Sequence, residues 1–246
     1  MVAIVGTRQA TAYGERVTRE LAAALGRAGV SVVSGLARGI DAAAHRAALA
    51  SGGRTVAVLG SGVDVPYPAV HAALHAEIAA RGLVLSEHAP GERAGPGAFP
   101  RRNRIIAALA GVTIVVEAGF RSGALITATH ALDLGRTVAA VPGPIDAPQS
   151  AGSNELLRDG AAVIATAADA LALLGVSAPR PSRETSATPL EPDEQAVWDA
   201  LSAGAVDLDR LAARSRLPAT RCLAAVTALE ISGAIECALT GEIRRL

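Results

Sequence analysis

Val30-Ser31-Val32-Val33-Ser34-Gly35-Leu36-Ala37-Arg38-Gly39-Ile40-Asp41 passes from a β-branched run into a glycine-rich loop, and Asp41–Ala50 continues it as an Ala-rich helical stretch. The same passage recurs along residues 1–175. Short runs at Val2–Val5, Val30–Val33, Thr55–Leu59, Leu83–Ser86, Val112–Val116, Thr137–Val141 and Ala162–Ile164 alternate with helical patterns. Those patterns fall at Gly14–Ala28, Asp41–Ala50, Pro68–Arg81, Asn103–Ala110, Gly123–Leu134 and Ala167–Leu174. Most of the runs are continuously apolar, which is how strands covered on both faces read. The βαβα order predicts a doubly wound α/β domain with a mostly parallel sheet and right-handed crossovers.

Residues 176–192 break the rhythm: rich in Pro, Ser and Thr, with little to bury, they read as a linker. Residues 193–246 restart at Asp193, expected to cap a helix. Three helical patterns follow, Glu194–Ala203, Leu208–Ser215 and Pro218–Ser232, with Asp207 a cap for the second and Pro218 in the first turn of the third. Ala234–Ala238 and Glu242–Leu246 read as two short strands around Thr240-Gly241. Three helices and a hairpin make a winged helix-turn-helix pattern.

The 246 residues are 50% hydrophobic but only 2% aromatic, and 56 of them are Ala, so the core is built from Ala, Val, Leu and Ile. That hydrophobic share, at zero net charge, excludes a disordered chain. Cys222 and Cys237 are the only cysteines, which excludes a disulfide scaffold and leaves no zinc-type cluster. The apolar stretch near Ile105–Val116 is too short and too broken by Gly to span a bilayer. The opening Met1–Gly6 reads as strand and turn, not as a leader. The expectation is a soluble cytoplasmic protein.

All 23 basic residues are Arg. Codon bias in a GC-rich genome is the plainest reason, and the Ala content fits it. Every basic contact is then a planar fork suited to phosphate, and a lysine Schiff base or Walker-type loop is excluded. The balance is +2 over residues 1–175, neutral over 176–192 and −2 over 193–246. Any anion site is therefore a local cluster.

In an open parallel sheet, ligands bind beyond the carboxyl ends of the strands. There this sequence places Gly6-Thr7-Arg8, Ser34–Asp41, Gly60-Ser61-Gly62, Glu117–Gly123 and Pro142-Gly143. Glycines admit a ligand to the backbone, helix starts attract anions, and Arg supplies phosphate donors. Tight βα turns alone would also use Gly; Arg in three of these loops favours an anion site. The densest cluster is Phe99-Pro100-Arg101-Arg102-Asn103-Arg104, at a loop-to-helix junction. Phe99 taken alone reads as an apolar staple. Three cations at a helix start, where the dipole disfavours them, call for another reason. Aromatic plus Arg suits a single nucleic-acid strand.

No Gly-x-Gly-x-x-Gly follows the first strand and no acidic residue ends the second, so a nicotinamide cofactor is not expected. No catalytic set, cofactor site or metal site is read. His71 and His75 are four apart on a helix but lack an acidic ligand between them, and Asp41 and His45 share a helix face as a structural pair.

Val5-Gly6-Thr7-Arg8, Ser34–Asp41 with Ala44-His45, Tyr67-Pro68, Ser86-Glu87, Phe99–Ala107, Glu117-Ala118, Ser122–Ala128, Gly135-Arg136, Val141-Pro142-Gly143 and Gly152-Ser153-Asn154 occur in order over residues 1–175. Together they resemble the DNA-processing protein A family, also called the Smf family, of bacterial transformation proteins. The resemblance implies a Rossmann-like domain that binds and protects single-stranded DNA, forms a homodimer and helps load the RecA recombinase. Carried over, Arg38, Arg102, Arg104 and Arg121 line the DNA groove, and Gly35, Ser122 and Gly123 give backbone contacts. Phe99, Arg101 and Asn103 join them from the residue reading. The tail resembles the winged-helix domain of many members. Many members also have a helical domain before the first strand, Lys where Arg121 stands, and Cys where Ser153 stands.

Two other readings remain. One is a LOG-type nucleotide phosphoribohydrolase, whose Pro-Gly-Gly-x-Gly-Thr-x-x-Glu motif would fall at Phe120–Thr127, where the catalytic Glu has no counterpart. The other is a transcription regulator acting through the winged helix, disfavoured by the tail's acidic balance.

Overall fold

The computed structural model describes residues 1–176, 190–204, 206–231, 234–237 and 242–245. Contacts divide the chain into two compact units, Met1–Pro181 and Ser182–Leu246. Most of the expected linker, residues 177–189, lies outside the described residues.

In the first unit each β-branched run forms a strand: β1 Val2–Val5, β2 Val32–Ser34, β3 Thr55–Val58, β4 Leu83–Leu85, β5 Val112–Val115, β6 Thr137–Ala140 and β7 Ala162–Val163. The intervening helices are α1 Ala12–Arg27, α2 Ile40–Ala50, α3 Ala72–Arg81, α4 Ala98–Leu109, α5 Gly123–Asp133, α6 Ala151–Arg158 and α7 Ala167–Leu173. The sheet runs β4-β3-β2-β1-β5-β6-β7, every neighbouring pair parallel. Strand order reverses between β1 and β5, so the loops leaving those two strands diverge and open a crevice.

The central strands are buried on both faces, as their continuous apolar runs require. Val2 and Ile4 of β1 face Leu21, Leu25, Ile40 and Ala44 on α1 and α2. Ala3 and Val5 face Ile106 and Ala107 of α4 and Ala124 and Ala128 of α5. With Ala at so many contact positions, helix backbones approach closely without leaving voids.

Beyond shifts of one or two residues at element ends, the structure departs from the sequence reading in three places. Helix α4 starts at Ala98, five residues before the periodic pattern, so Phe99–Arg102 lie in its first turn. Pro100 is tolerated there because first-turn N–H groups have no intrahelical partner. Helix α6 was not anticipated. The Pro68–Arg81 pattern splits into a 3-10 turn, Ala69–His71, and α3.

The second unit contains α8 Pro192–Ala200, α9 Leu208–Ser215, α10 Ala219–Ile231, and an antiparallel pair, β8 Ile235–Cys237 with β9 Ile243–Arg245. A bridge joins Val206 to Ile243, and Val197, Leu211, Val226 and Ile235 are among its buried core. This is the expected winged helix-turn-helix. Asp207 caps α9 as expected, accepting from the Arg210 N–H at 2.8 Å. Asp193 does not cap α8: the helix begins at Pro192, and Glu194 closes the start by accepting from the Glu191 N–H at 3.1 Å. Pro218 precedes α10, its carbonyl accepting from the Cys222 N–H at 2.9 Å.

Ile4 lies at the centre of the first core, fully buried. Ile4→Ala is expected to lower the unfolding free energy of the first unit by about 2–5 kcal/mol in denaturant titration. A loss under about 0.5 kcal/mol would mean that β1 is not the centre of that core.

Candidate nucleic-acid interface

Two adjoining cavities open at the β1/β5 crevice. The first, about 360 Å³, lies between the β1 loop (Gly6, Thr7, Arg8), the first turns of α4 (Phe99, Asn103) and the β5 loop (Gly119, Phe120, Ser122, Gly123). The second, about 370 Å³, lies between Arg8, Gln9, the β2 loop (Gly35, Ala37, Arg38), Gly60 and Tyr67. Phe99, Arg8, Ala37 and Arg102 line both. A third, about 250 Å³, lies on the far side of α4 beside Glu87, Arg101 and Arg104. Loops of β1, β2, β3 and β5 meet as expected. The β6 loop does not join them: Asn154 of α6 holds Gly143 through both its N–H (3.1 Å) and its carbonyl (3.0 Å).

Arg102 sits beneath the crevice and borders all three cavities. Only 6% exposed, it donates to the carbonyls of Gly35, at 2.7 Å, and of Val58. It thereby ties α4 to the ends of β2 and β3. Gly35 leaves room for the guanidinium, which a Cβ there would have to displace. From the other side, Asp41 of α2 accepts from the Gly35 N–H at 3.0 Å and the Ala37 N–H at 3.4 Å. Burial raises the Asp41 carboxyl's pKa, opposed by Arg102. Burial lowers Arg102 to about 10, offset in part by Asp41 and reinforced by nearby Arg8. Arg102 thus lines these cavities as their floor, with Nη1 given to backbone carbonyls, while other arginines stand at the rim.

Those rim arginines differ among themselves. Arg8, absent from the sequence-derived set, is exposed and lies 5.5 Å from the centroid of Phe99. Phe99 is half-buried and packs on Tyr67 with centroids 5.0 Å apart, so it is a wall of the site and not a core staple. Arg38 is exposed on the β2 loop and Arg101 on α4. Arg121 is exposed in a left-handed turn (φ 62°) between Phe120, itself 72% exposed, and Ser122. Among the described residues, none of Arg8, Arg38, Arg101 and Arg121 has a carboxylate within 4.0 Å. Arg104 does: it grips Glu87 through both carboxylate oxygens and faces the third cavity. Ser122 caps α5, its hydroxyl accepting from the Ala124 N–H at 3.3 Å, and Gly123 begins that helix. Asn103 donates to the Gly123 carbonyl at 3.1 Å, fastening α4 to α5 across the first cavity. The N–H groups leading α5 therefore stand at the cavity edge without intrahelical partners.

Three of the six winged-helix arginines, Arg210, Arg221 and Arg244, have carboxylate partners. Arg221 of α10 makes a two-pronged pair with Asp193 (2.7 and 2.6 Å), and Arg244 does the same with one oxygen of Glu236 (2.9 and 2.6 Å). Arg245 donates to the Trp198 carbonyl and lies 4.3 Å from its ring centroid. Arg214 and Arg216 have no acidic partner within 4.0 Å among the described residues.

The described residues hold no cluster of three His, Cys, Asp or Glu fit for a metal. His71 and His75 each engage a backbone carbonyl, of Leu36 at 3.0 Å and of Val63 at 2.8 Å. Asp41 and His45 do not pair as expected. His45 instead meets the Thr55 hydroxyl at 2.7 Å, and because that hydroxyl donates to the Val32 carbonyl, Nδ1 carries the proton and Nε2 is left without a partner. Burial foremost, then Arg102, lowers the His45 pKa to about 3. Its folded pKa lies below its unfolded value of about 6.5, so the unfolded chain binds the extra proton, and stability falls as pH drops below about 6.5 towards 3. In pH-dependent thermal unfolding, His45→Asn is expected to remove up to about 1.4 kcal/mol per pH unit of this dependence. Identical slopes in parent and variant would contradict the assignment.

Comparison with known proteins agrees with this architecture. The family model for DNA recombination-mediator protein A matches residues 1–175, and the DprA winged-helix domain matches residues 181–238. A DNA processing protein DprA of Mycobacterium tuberculosis is 47% identical over 96% of this chain and 62% of its own length. The chain thus spans about three fifths of that relative. The crystal structure of DprA from Streptococcus pneumoniae superposes with a TM-score of 0.65 at 44% identity, over 70% of this chain and 60% of that one. DprA from Helicobacter pylori, a protein described for its single-stranded DNA binding mode, also gives 0.65, at 34% identity over 70% of this chain and 79% of that one. This chain belongs to the DNA recombination-mediator protein A family, the DprA/Smf group of DNA-processing proteins.

Proposed function

We propose that residues 1–175 bind single-stranded DNA at the β1/β5 crevice and that the protein delivers such strands to recombination. The observation that carries this reading is the set of exposed arginines that have no carboxylate partner among the described residues: Arg8 and Arg38 beside the Phe99–Tyr67 wall, Arg121 on the β5 loop, and Arg101 on α4 at the third cavity. A cation without a counter-charge is ready for phosphate, and an aromatic face beside it is ready for a base. A duplex would hide its bases from that face. The floor residues Arg102 and Gly35, with Asn103, Ser122 and Gly123, shape the groove, and Arg104 extends it past α4. Family membership supports the further steps of the proposal: a homodimer formed by the first unit, action in the cytoplasm, and loading of RecA on DNA entering during natural transformation.

The reading is of a binder and not an enzyme. Asp41 is the carboxylate bordering the first cavity, and it is engaged by two backbone N–H groups and buried. Thr127 lines the same cavity near where a phosphoribohydrolase would carry its Glu. The winged helix serves mainly as a protein-contact or regulatory module, since its arginines are largely paired within the domain.

In anisotropy titrations, an oligo-dT is expected to bind more tightly than a duplex of equal length, with affinity falling as salt rises. Arg38→Ala/Arg121→Ala should flatten the slope of log affinity against log salt by about 1.4, two phosphate contacts at about 0.7 each. An unchanged slope would remove these residues from the interface. For the tail, Arg214→Ala/Arg216→Ala should leave duplex affinity within about twofold of the parent; a loss of tenfold or more would make the winged helix a duplex binder.

A further inference from the structure

We propose that Glu117 is a positioning residue for strand binding: it fixes both ends of the Gly6–Thr11 loop and so holds Arg8 over Phe99. The inference rests on the single-strand reading above and adds to it a residue that touches no DNA.

Glu117 follows β5 and is 2% exposed. Its carbonyl accepts from the Thr7 N–H at 2.7 Å, at one end of the loop. Its side chain reaches the other end, where one carboxylate oxygen accepts from the Thr11 N–H at 3.0 Å and the second from the Thr11 hydroxyl. The Thr11 oxygen in turn accepts from the Gly14 N–H at 3.1 Å, capping α1. Gly14 makes room for this contact, because a Cβ there would overlap the carboxylate. No Arg lies within 4.0 Å of Glu117 among the described residues, so its compensation is the leading end of a sixteen-residue helix. In dinucleotide-binding relatives of this fold, a ligand phosphate occupies that end of the first helix. Here the protein's own carboxylate fills it, which leaves the crevice cations to a ligand that approaches from the rim.

Arg8 needs such an anchor. It has no carboxylate partner among the described residues, and its charge is close enough to Arg102 to lower that residue's pKa. Left to itself, the loop would carry Arg8 outward, away from a like charge. The hydrogen bonds to Glu117, with the Ile40 N–H donating to the Thr7 carbonyl at 3.3 Å, oppose this.

The test is a double-mutant cycle on the full chain, read as oligo-dT affinity at low salt, with thermal unfolding confirming that each variant is folded. Arg8→Ala is expected to weaken binding about tenfold, as for one charge-assisted contact. Glu117→Ala should approach the same loss, and Glu117→Gln, which keeps one acceptor, should retain most of the affinity. Arg8→Ala/Glu117→Ala should bind as Arg8→Ala does, because an effect exerted through Arg8 vanishes once Arg8 is gone. If Glu117→Ala fails to fold, Thr11→Val, which deletes only the hydroxyl, replaces it in the cycle with the same expectation. Losses that multiply in the double variant, or a Glu117 or Thr11 variant that binds like the parent while Arg8→Ala is weakened, would overturn this inference alone. A parent that does not bind oligo-dT would overturn the single-strand reading and this inference with it.

Discussion

The buried guanidinium of Arg102 is the contact on which the rest of the site depends. A cation out of water is costly unless its donors are used. Here Nη1 is used on the carbonyls of Gly35 and Val58, at the ends of adjacent strands β2 and β3, while Nε has no partner among the described residues. That choice fixes where α4 crosses the sheet. It uses the space that glycine leaves at position 35, and it brings Phe99, one turn earlier on α4, against Tyr67 and Arg8. Asp41 closes the arrangement by holding the amides of the same β2 loop. The crevice is therefore preorganised by a buried polar set, and the arginines that face solvent are free of that duty.

In a chain of zero net charge, the charges are sorted by place, not by number. In the first unit, helix-surface arginines such as Arg16, Arg19 and Arg81 pair with glutamates one turn away. The rim arginines have no such neighbours. In the second unit the pairing extends to α10 and the wing, where Asp193 and Glu236 neutralise Arg221 and Arg244. Phosphate contacts dominate non-specific nucleic-acid affinity, so this sorting separates the binding roles of the two units more clearly than their net charges do.

Local pattern by itself determined the layered α/β architecture, the winged helix and the loops that meet at the strand ends. Continuous apolar runs between Ala-rich helices are buried as parallel strands between helix layers, and the loops of such a sheet part to open a crevice where its strand order reverses. What local pattern could not reveal is which charges are buried and which are free. Arg101, Arg102 and Arg104 are neighbours in the chain, yet successive residues on a helix point about 100° apart. One therefore reaches solvent, one becomes the floor of the site, and one pairs with Glu87. Arg8 was legible in the sequence as a crevice-loop arginine, but its place over Phe99 came only with the fold. Glu117 reads in the sequence as the first residue of the loop after the fifth strand; only the fold brings Thr11 and Gly14 of the α1 start to its carboxylate. Each of these roles depends on a partner tens of residues away, so only the tertiary structure decided them.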